Sequence, residues 1–458
     1  MAHDPDPPNP APAPVGRDLT VWAPLLLAAL ALWWLFSQFA QTNRTLDHRP
    51  RQLLLFFAAF LIFLIATRQV WRARPALSRR LALLIIIAGL LFRLTVAPSR
   101  PIATADIYRY LWEGRVVRAG LNPYTYSPRS PELIPLRNWV WPLVQHKSVS
   151  AVYPPVAQHV FALASRAPLN PVLELKLALA FFDVLTMLLL ANLIARLGRP
   201  PSWVIVYAWH PLAVCELSAR GHLDSIGIFF LVAALRLLVI PTSLGRAASG
   251  ASLALSLLAK GYALITAPFL LLAAKPHRLT FTLAILLTAL AASAPFLSAG
   301  PALFRGLAAY TENWTGNASL FPLLDFAFSR LTPRHDLLAR AACALALAAF
   351  LITLIATRPR PYRAPDAVRL SFRGLAAFFL LSPTVYPWYL TWTLPLLCLH
   401  RSIPWLLLTG TIYGFYAHDF AGHHHQIWWV TTLEYALPLA AALALWLRRP
   451  PKRGNPRL

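Results

Sequence analysis

Apolar residues run along this chain in long blocks broken by short polar turns. The blocks fall near 20–40, 52–67, 81–97, 171–195, 202–217, 225–240, 247–259, 261–274, 279–298, 337–357, 371–384, 388–399, 402–417 and 427–447. About 20 apolar residues are needed to cross roughly 30 Å of hydrocarbon as a helix. The pattern predicts an all-α polytopic membrane protein, a bundle of about 11–14 transmembrane helices. A transmembrane barrel would instead show alternating segments. The pairs 247–259 with 261–274 and 371–384 with 388–399 admit two readings, two separate legs or one bent helix. "YPPVAQHVFALAS" at 153–165 is short for a span and reads as a re-entrant or surface helix.

Composition agrees with the pattern. Hydrophobic residues make up 58% of the chain and charged ones 13%, where a soluble domain sits near a quarter charged. The net charge of +25 would suggest nucleic acid in a soluble protein. Here the arginines collect in turns at 68–80, 196–200, 275–278 and 358–373 and in the C-terminal tail, which the positive-inside rule places in the cytoplasm. No nucleic-acid partner is expected. The resulting organisation is a Pro-rich disordered cytoplasmic tail (1–19), one transmembrane domain (20–447) and a basic cytoplasmic tail (448–458). Within the domain, 98–170 is the first large extracytoplasmic loop and 299–336 the second. Cys215, Cys343 and Cys398 all lie in apolar blocks and supply neither a disulfide framework nor a metal knuckle.

The unusual polar residues gather on the side opposite the arginine turns. They include "ADIYRYLWEGR" (105–115), "ARGHLDS" (219–225), "AKGY" (259–262), "YTENWTGNAS" (310–319), "SPTVYPWYLTW" (382–392) and "HDFAGHHHQ" (418–426). One-sided clustering points to a site at one membrane surface, whereas a transporter more often places polar groups near the midplane. Thr104 is positioned to cap a helix with Asp106 in its first turn and Gly120 closing it. Asp106, Tyr110 and Glu113 then share a face, with Ile107, Leu111 and Trp112 turned toward lipid. The plainer reading is an amphipathic surface helix whose acids are balanced by its own arginines.

The other motifs carry similar pairs of readings. Asp183 in "FFDVL" sits inside a membrane helix, where a carboxylate costs about 2.5–3.5 kcal/mol, and reads as structurally paired with an arginine or hydroxyl. Lys260 either snorkels to the interface or binds an anion. "YPWYLTW" is either an interfacial aromatic belt or part of a site. Consecutive histidines at 423–425 seldom converge on one ion, so no metal site is assigned.

"DIYRYLWEGRVVRAGLNPY" followed by "YPPVAQ", then "GHLDS", "AKGYALITAPFLL" and "SPTVYPWYLTWTLPLL", resembles the GT-C superfamily of integral-membrane glycosyltransferases. The likeness is greatest to bacterial polyprenyl-phosphate-mannose-dependent mannosyltransferases, and spans roughly residues 80–400. The resemblance implies a GT-C-like bundle with a surface helix in the first large loop and a catalytic acid there, the place Asp106 occupies. Many relatives have paired acids in that loop, whereas here a single Asp precedes Glu113. The implied reaction moves a hexose, most naturally mannose, from a polyprenyl-phosphate donor to a glycan, lipid or protein hydroxyl on the outer face of a bacterial inner membrane, with inversion. Asp106 is the expected base. Lys260, Arg109 and Arg220 are candidates for the phosphate, and His222, Asp224, Tyr108, Trp112, Glu113, Tyr153 and Trp388 for substrate contacts. No cofactor is implied, the lipid-phosphate sugar being a substrate, and a divalent cation is left open. The rival functions are a transporter or flippase of a lipid-linked saccharide and a non-catalytic membrane scaffold.

Overall fold

The computed structural model describes residues 16–42, 49–73, 77–101, 105–165, 170–421 and 428–448. The two tails as far as 15 and from 449, the proposed cap Thr104 and the histidines at 423–425 lie outside the described residues. The architecture is all α. Among the described residues, the only extended pairing is an isolated bridge between Gly316 and Thr384.

Among the described residues, six segments are long and apolar enough to cross a membrane: Thr20–Thr42, Pro50–Arg72, Pro171–Arg196, Arg278–Asn313, His335–Ala356 and Trp429–Leu447. Their surfaces match lipid rather than water. On the helix Arg278–Ser293, Leu283, Leu286, Leu287 and Leu290 are exposed and Phe281 is the buried residue. Bare apolar area of this kind marks a membrane-facing wall. Other legs are broken into short pieces. Between 201 and 219 a 3-10 turn, two short α segments and a π turn, Val214–Ala219, follow one another.

Both ambiguous pairs are two legs. The helix Ser243–Ala259 stops at Lys260, whose backbone is extended (φ −160°, ψ 129°), and Gly261–Ala273 runs back. Ala364–Leu381 likewise ends in an extended Ser382 (ψ 138°), and Pro387–Leu397 returns. Helical dihedrals cannot continue through either residue, so the chain turns there.

The legs give the bundle two chemically different ends. At one end, Ser78 bonds Ser202 (2.8 Å), Arg401 lies over Trp203 (3.7 Å) and Trp71 (4.7 Å), and Tyr362 donates to the Phe269 carbonyl (3.3 Å). The arginine turns are here. At the other end, Lys176 Nζ donates to the carbonyls of Ala97, Ser99 and Ala219, joining the exit of one helix to the turn after another. Midway, the buried Asp183 carboxylate accepts from Arg93 Nε (2.6 Å) and Nη2 (3.2 Å), so the pairing with an arginine holds. Arg93 also donates to the Gly89 and Ala208 carbonyls.

The helix Asp106–Arg118 corrects one expectation. Its rings do not face lipid. Ile107, Leu111 and Trp112 are buried in a cluster with Leu133, Val140, Val144 and Phe161. The 121–150 loop folds over the helix as short turns and covers the face that sequence periodicity left open. Pro155–Ala164 packs against it so closely that a Cβ on Gly114 would sit 2.3 Å from the Phe161 carbonyl oxygen.

Candidate active site at the Asp106 end

Asp106 opens its helix, with its side chain 34% exposed. A carboxylate in the first turn is favoured by the helix dipole, typically by 0.3–1 kcal/mol. The tight turn 219–222 comes up beside it. Gly221 has φ +74°, a conformation that disfavours side chains, and a Cβ there would meet Ile107 Cδ1 at 2.8 Å. This close approach sets His222 next to Asp106, with Nδ1 3.8 Å from Oδ2. His222 is 1% exposed, and its ring stacks on Trp388 (centroids 4.1 Å apart, planes at 11°). Trp388 in turn stacks on Tyr386 (4.7 Å, 13°).

The next helix begins at Asp224, which is fully buried. Both of its carboxylate oxygens accept from Lys260 Nζ at 2.8 Å, and Oδ1 also accepts from Trp392 Nε1 at 2.7 Å. The Lys260 ammonium lies over the rings of Tyr389 (4.6 Å) and Tyr262 (5.3 Å). Tyr110, Tyr153 and Tyr386 complete the surroundings of Asp106. Burial pushes the phenols of Tyr110 and Tyr153 well above the usual tyrosine range, and the Asp106 charge adds to this. Burial and Asp106 push Tyr386 up to about 12. These phenols remain protonated, and a ring of protonated hydroxyls beside a carboxylate can hold a polyhydroxylated ligand.

The structure thus brings Asp106, His222, Asp224, Lys260, Tyr153 and Trp388 into one region. Five other candidates have different placements. Arg109 and Glu113 lie behind Tyr153 and bind each other: Arg109 Nε donates to Glu113 Oε1 (2.5 Å), and its other donors meet the carbonyls of His146, Val149 and Ser150. Gln158 Nε2 donates to the second Glu113 oxygen (2.6 Å). Trp112 is 1% exposed in the cluster under the loop. Arg220, also 1% exposed, pairs with Glu216 and lies 3.6 Å from the Tyr416 ring centroid. Tyr108 projects away from Asp106, where it lines a cavity of about 350 Å³ with Arg100, Trp139 and Asn170. Among the described residues no three His, Cys, Asp or Glu side chains are placed to hold a metal.

Glu216 is the residue the sequence reading missed. It is fully buried, accepts from Arg220 and from the Tyr416 hydroxyl (3.0 Å to each oxygen), and places Oε2 3.2 Å from His222 Nε2. The signal was available in "CELSAR": an acid and an arginine four apart within an apolar block.

A bundle with lipid-facing walls and a carboxylate, cation and aromatic cluster at one end has the form of a multi-pass membrane glycosyltransferase. A family model described as the alpha-(1->6)-mannopyranosyltransferase N-terminal domain of the MptA/B family matches residues 19–276. The chain belongs to this GT-C-type mannosyltransferase family. No curated protein and no solved structure matches it. The matched stretch contains Asp106, Glu216, His222, Asp224 and Lys260, while Tyr386, Trp388, Trp392 and Tyr416 come from beyond it.

Proposed function

We propose that the chain transfers mannose from a polyprenyl-phosphate mannose to a hydroxyl of a glycan, lipid or protein acceptor, on the outer face of a bacterial inner membrane. Asp106 carries the reading: it is an accessible carboxylate at a helix start, beside buried groups able to hold a sugar and a phosphate. In a single displacement, the acceptor oxygen bonds to the anomeric carbon as the bond from that carbon to the phosphate oxygen breaks. Asp106 takes the acceptor proton. Lys260, now on Asp224, supplies positive charge as the phosphate leaves. Tyr153, Tyr386 and Trp388 form the wall against which the sugar lies.

A single displacement inverts the anomeric centre. An α product, as the family description names it, therefore requires a β-linked donor phosphate. The reading is tested by offering the purified protein mannose on a β-linked prenyl phosphate, on the α-linked isomer, or on a nucleotide diphosphate. The expected result is transfer from the first alone, with an α linkage in the product. Efficient transfer from the nucleotide donor would overturn it.

A further inference from the structure

Three features of His222 set it apart from an ordinary buried histidine. Both ring nitrogens are buried, and neither meets a partner at hydrogen-bond geometry. Each nonetheless faces a carboxylate, Nε2 at 3.2 Å from Glu216 and Nδ1 at 3.8 Å from Asp106. The ring cannot swing away, because Trp388 covers its face at 4.1 Å. Glu216 is itself fixed by Arg220 and the Tyr416 hydroxyl, on a π turn of the sort that recurs at functional sites. The result is a line of three groups, Glu216, His222 and Asp106, leading from the buried interior to the exposed carboxylate.

We propose that His222 is a proton relay behind Asp106, oriented by Glu216. The inference rests on Asp106 being the base. With its Nε2–H directed at Glu216, the neutral ring presents the lone pair of Nδ1 to Asp106. During transfer the acceptor O–H proton passes to Asp106 as the glycosidic bond forms and the phosphate leaves. The proton then moves from Asp106 to His222 Nδ1. Asp106 is again a carboxylate, and His222 is an imidazolium between two carboxylates until the proton reaches water. No oxidant or further reactant is required. Catalytic hydrogen bonds shorten as the transition state forms, which brings the 3.8 Å separation within reach of this step.

The charged and titratable groups around His222 agree with this. Asp106 comes from the helix below, Glu216 with Arg220 from the π turn, Asp224 from the start of the helix that follows, and Lys260 from the end of Ser243–Ala259. On the Trp388 side lies Tyr386, and Tyr416 reaches Glu216 from the C-terminal part of the chain. Arg220 is occupied by Glu216 and Lys260 by Asp224, so each cation on the line has its own counter-charge.

The test compares wild type with His222→Gln, Glu216→Gln and Asp106→Asn, all purified full length in detergent with β-linked prenyl-phosphate mannose as donor. The relay predicts that His222→Gln lowers kcat about 10–100-fold, the range of a lost proton-transfer partner, with donor KM within about twofold of wild type. It also predicts a shift of the acid limb of the kcat profile. In wild type, turnover requires both Asp106 and His222 to be free to accept a proton; in the variant only Asp106 must be, so one requirement is lifted. The limb should therefore move to lower pH. Glu216→Gln should shift it in the same direction with a smaller loss of kcat. A wild-type profile in His222→Gln, or a raised donor KM with unchanged kcat and limb, overturns the relay; the latter makes His222 a contact to the phosphate. Should His222→Gln lower the Tm, the limb is read in each variant well below its own Tm, where it reports proton transfer in the folded protein and not the amount of it. Asp106→Asn separates the two claims: a fully active Asp106→Asn removes the base itself, whereas an inactive one beside an unchanged His222→Gln removes the relay alone.

Discussion

Lys260 and Arg93 show two ways in which a cation is held in an apolar bundle. Arg93 is closed: its donors meet Asp183 and two carbonyls, and the pair is 0% exposed. Removing one partner of such a pair strands a buried charge, which costs about 3–5 kcal/mol. Arg93→Met should therefore lower the amount of folded protein and its Tm, measured by thermal unfolding in detergent, without a selective effect on the chemistry. Lys260 is open: its side chain keeps 13% exposure over a buried Asp224 and two tyrosine rings. A charged hydrogen bond is worth about 1.5–3 kcal/mol. Lys260→Met is thus expected to raise donor KM by about 10–100-fold, measured in a transfer assay on protein matched for folded fraction, while the buried Asp224 it leaves unpaired lowers the Tm. Wild-type donor kinetics would assign Lys260 to anchoring alone. At this scale His222, Asp224 and Lys260 were legible because each is a polar residue in a short turn between apolar blocks, and Asp106 because it opens an amphipathic stretch just past one. Glu216 offered only the acid and arginine spacing of "CELSAR", because its other partners, His222 and Tyr416, are brought to it by the fold.

The elements repeat the lesson in a different form. Hydrophobic blocks located the legs, but block length alone could not separate a bent helix from a hairpin. The extended backbone at Lys260 and Ser382 separates them, and both residues sit at the end where the site lies. Periodicity likewise found the helix Asp106–Arg118 but misplaced its surroundings, since the 121–150 loop that follows it supplies the cover. That cover makes the helix rigid, and rigidity is tested at Gly114. A Cβ there meets backbone, the Phe161 carbonyl at 2.3 Å, which cannot move as a side chain end can. Gly114→Ala should separate the two helices, lowering Tm and transfer together. A Gly114→Ala protein with wild-type Tm would show that the helix pair has slack.

Across the whole molecule, the arginine turns and the polar cluster occupy opposite ends of the bundle. Sequence gave this polarity through residue counts in turns; contacts such as Arg401 over Trp203 at one end and Lys176 on Ala97, Ser99 and Ala219 at the other give it in space. The orientation relative to the cell follows from the positive-inside rule and is open to direct test. Cys215, Cys343 and Cys398 are all buried, so a cysteine placed at the exposed Ser148 can be read against a low background. An impermeant thiol reagent should label Ser148→Cys in intact cells. Labelling only after permeabilisation would reverse the orientation.

The central claim is that Asp106 accepts the proton of the attacking hydroxyl in mannosyl transfer. Asp106→Asn keeps size and shape and removes the base, and the direct measurement is the rate of mannose transfer from purified prenyl-phosphate mannose by protein matched for Tm. The account predicts a fall in kcat of about 10²–10⁴-fold with little change in donor KM. Transfer at the wild-type rate would contradict it.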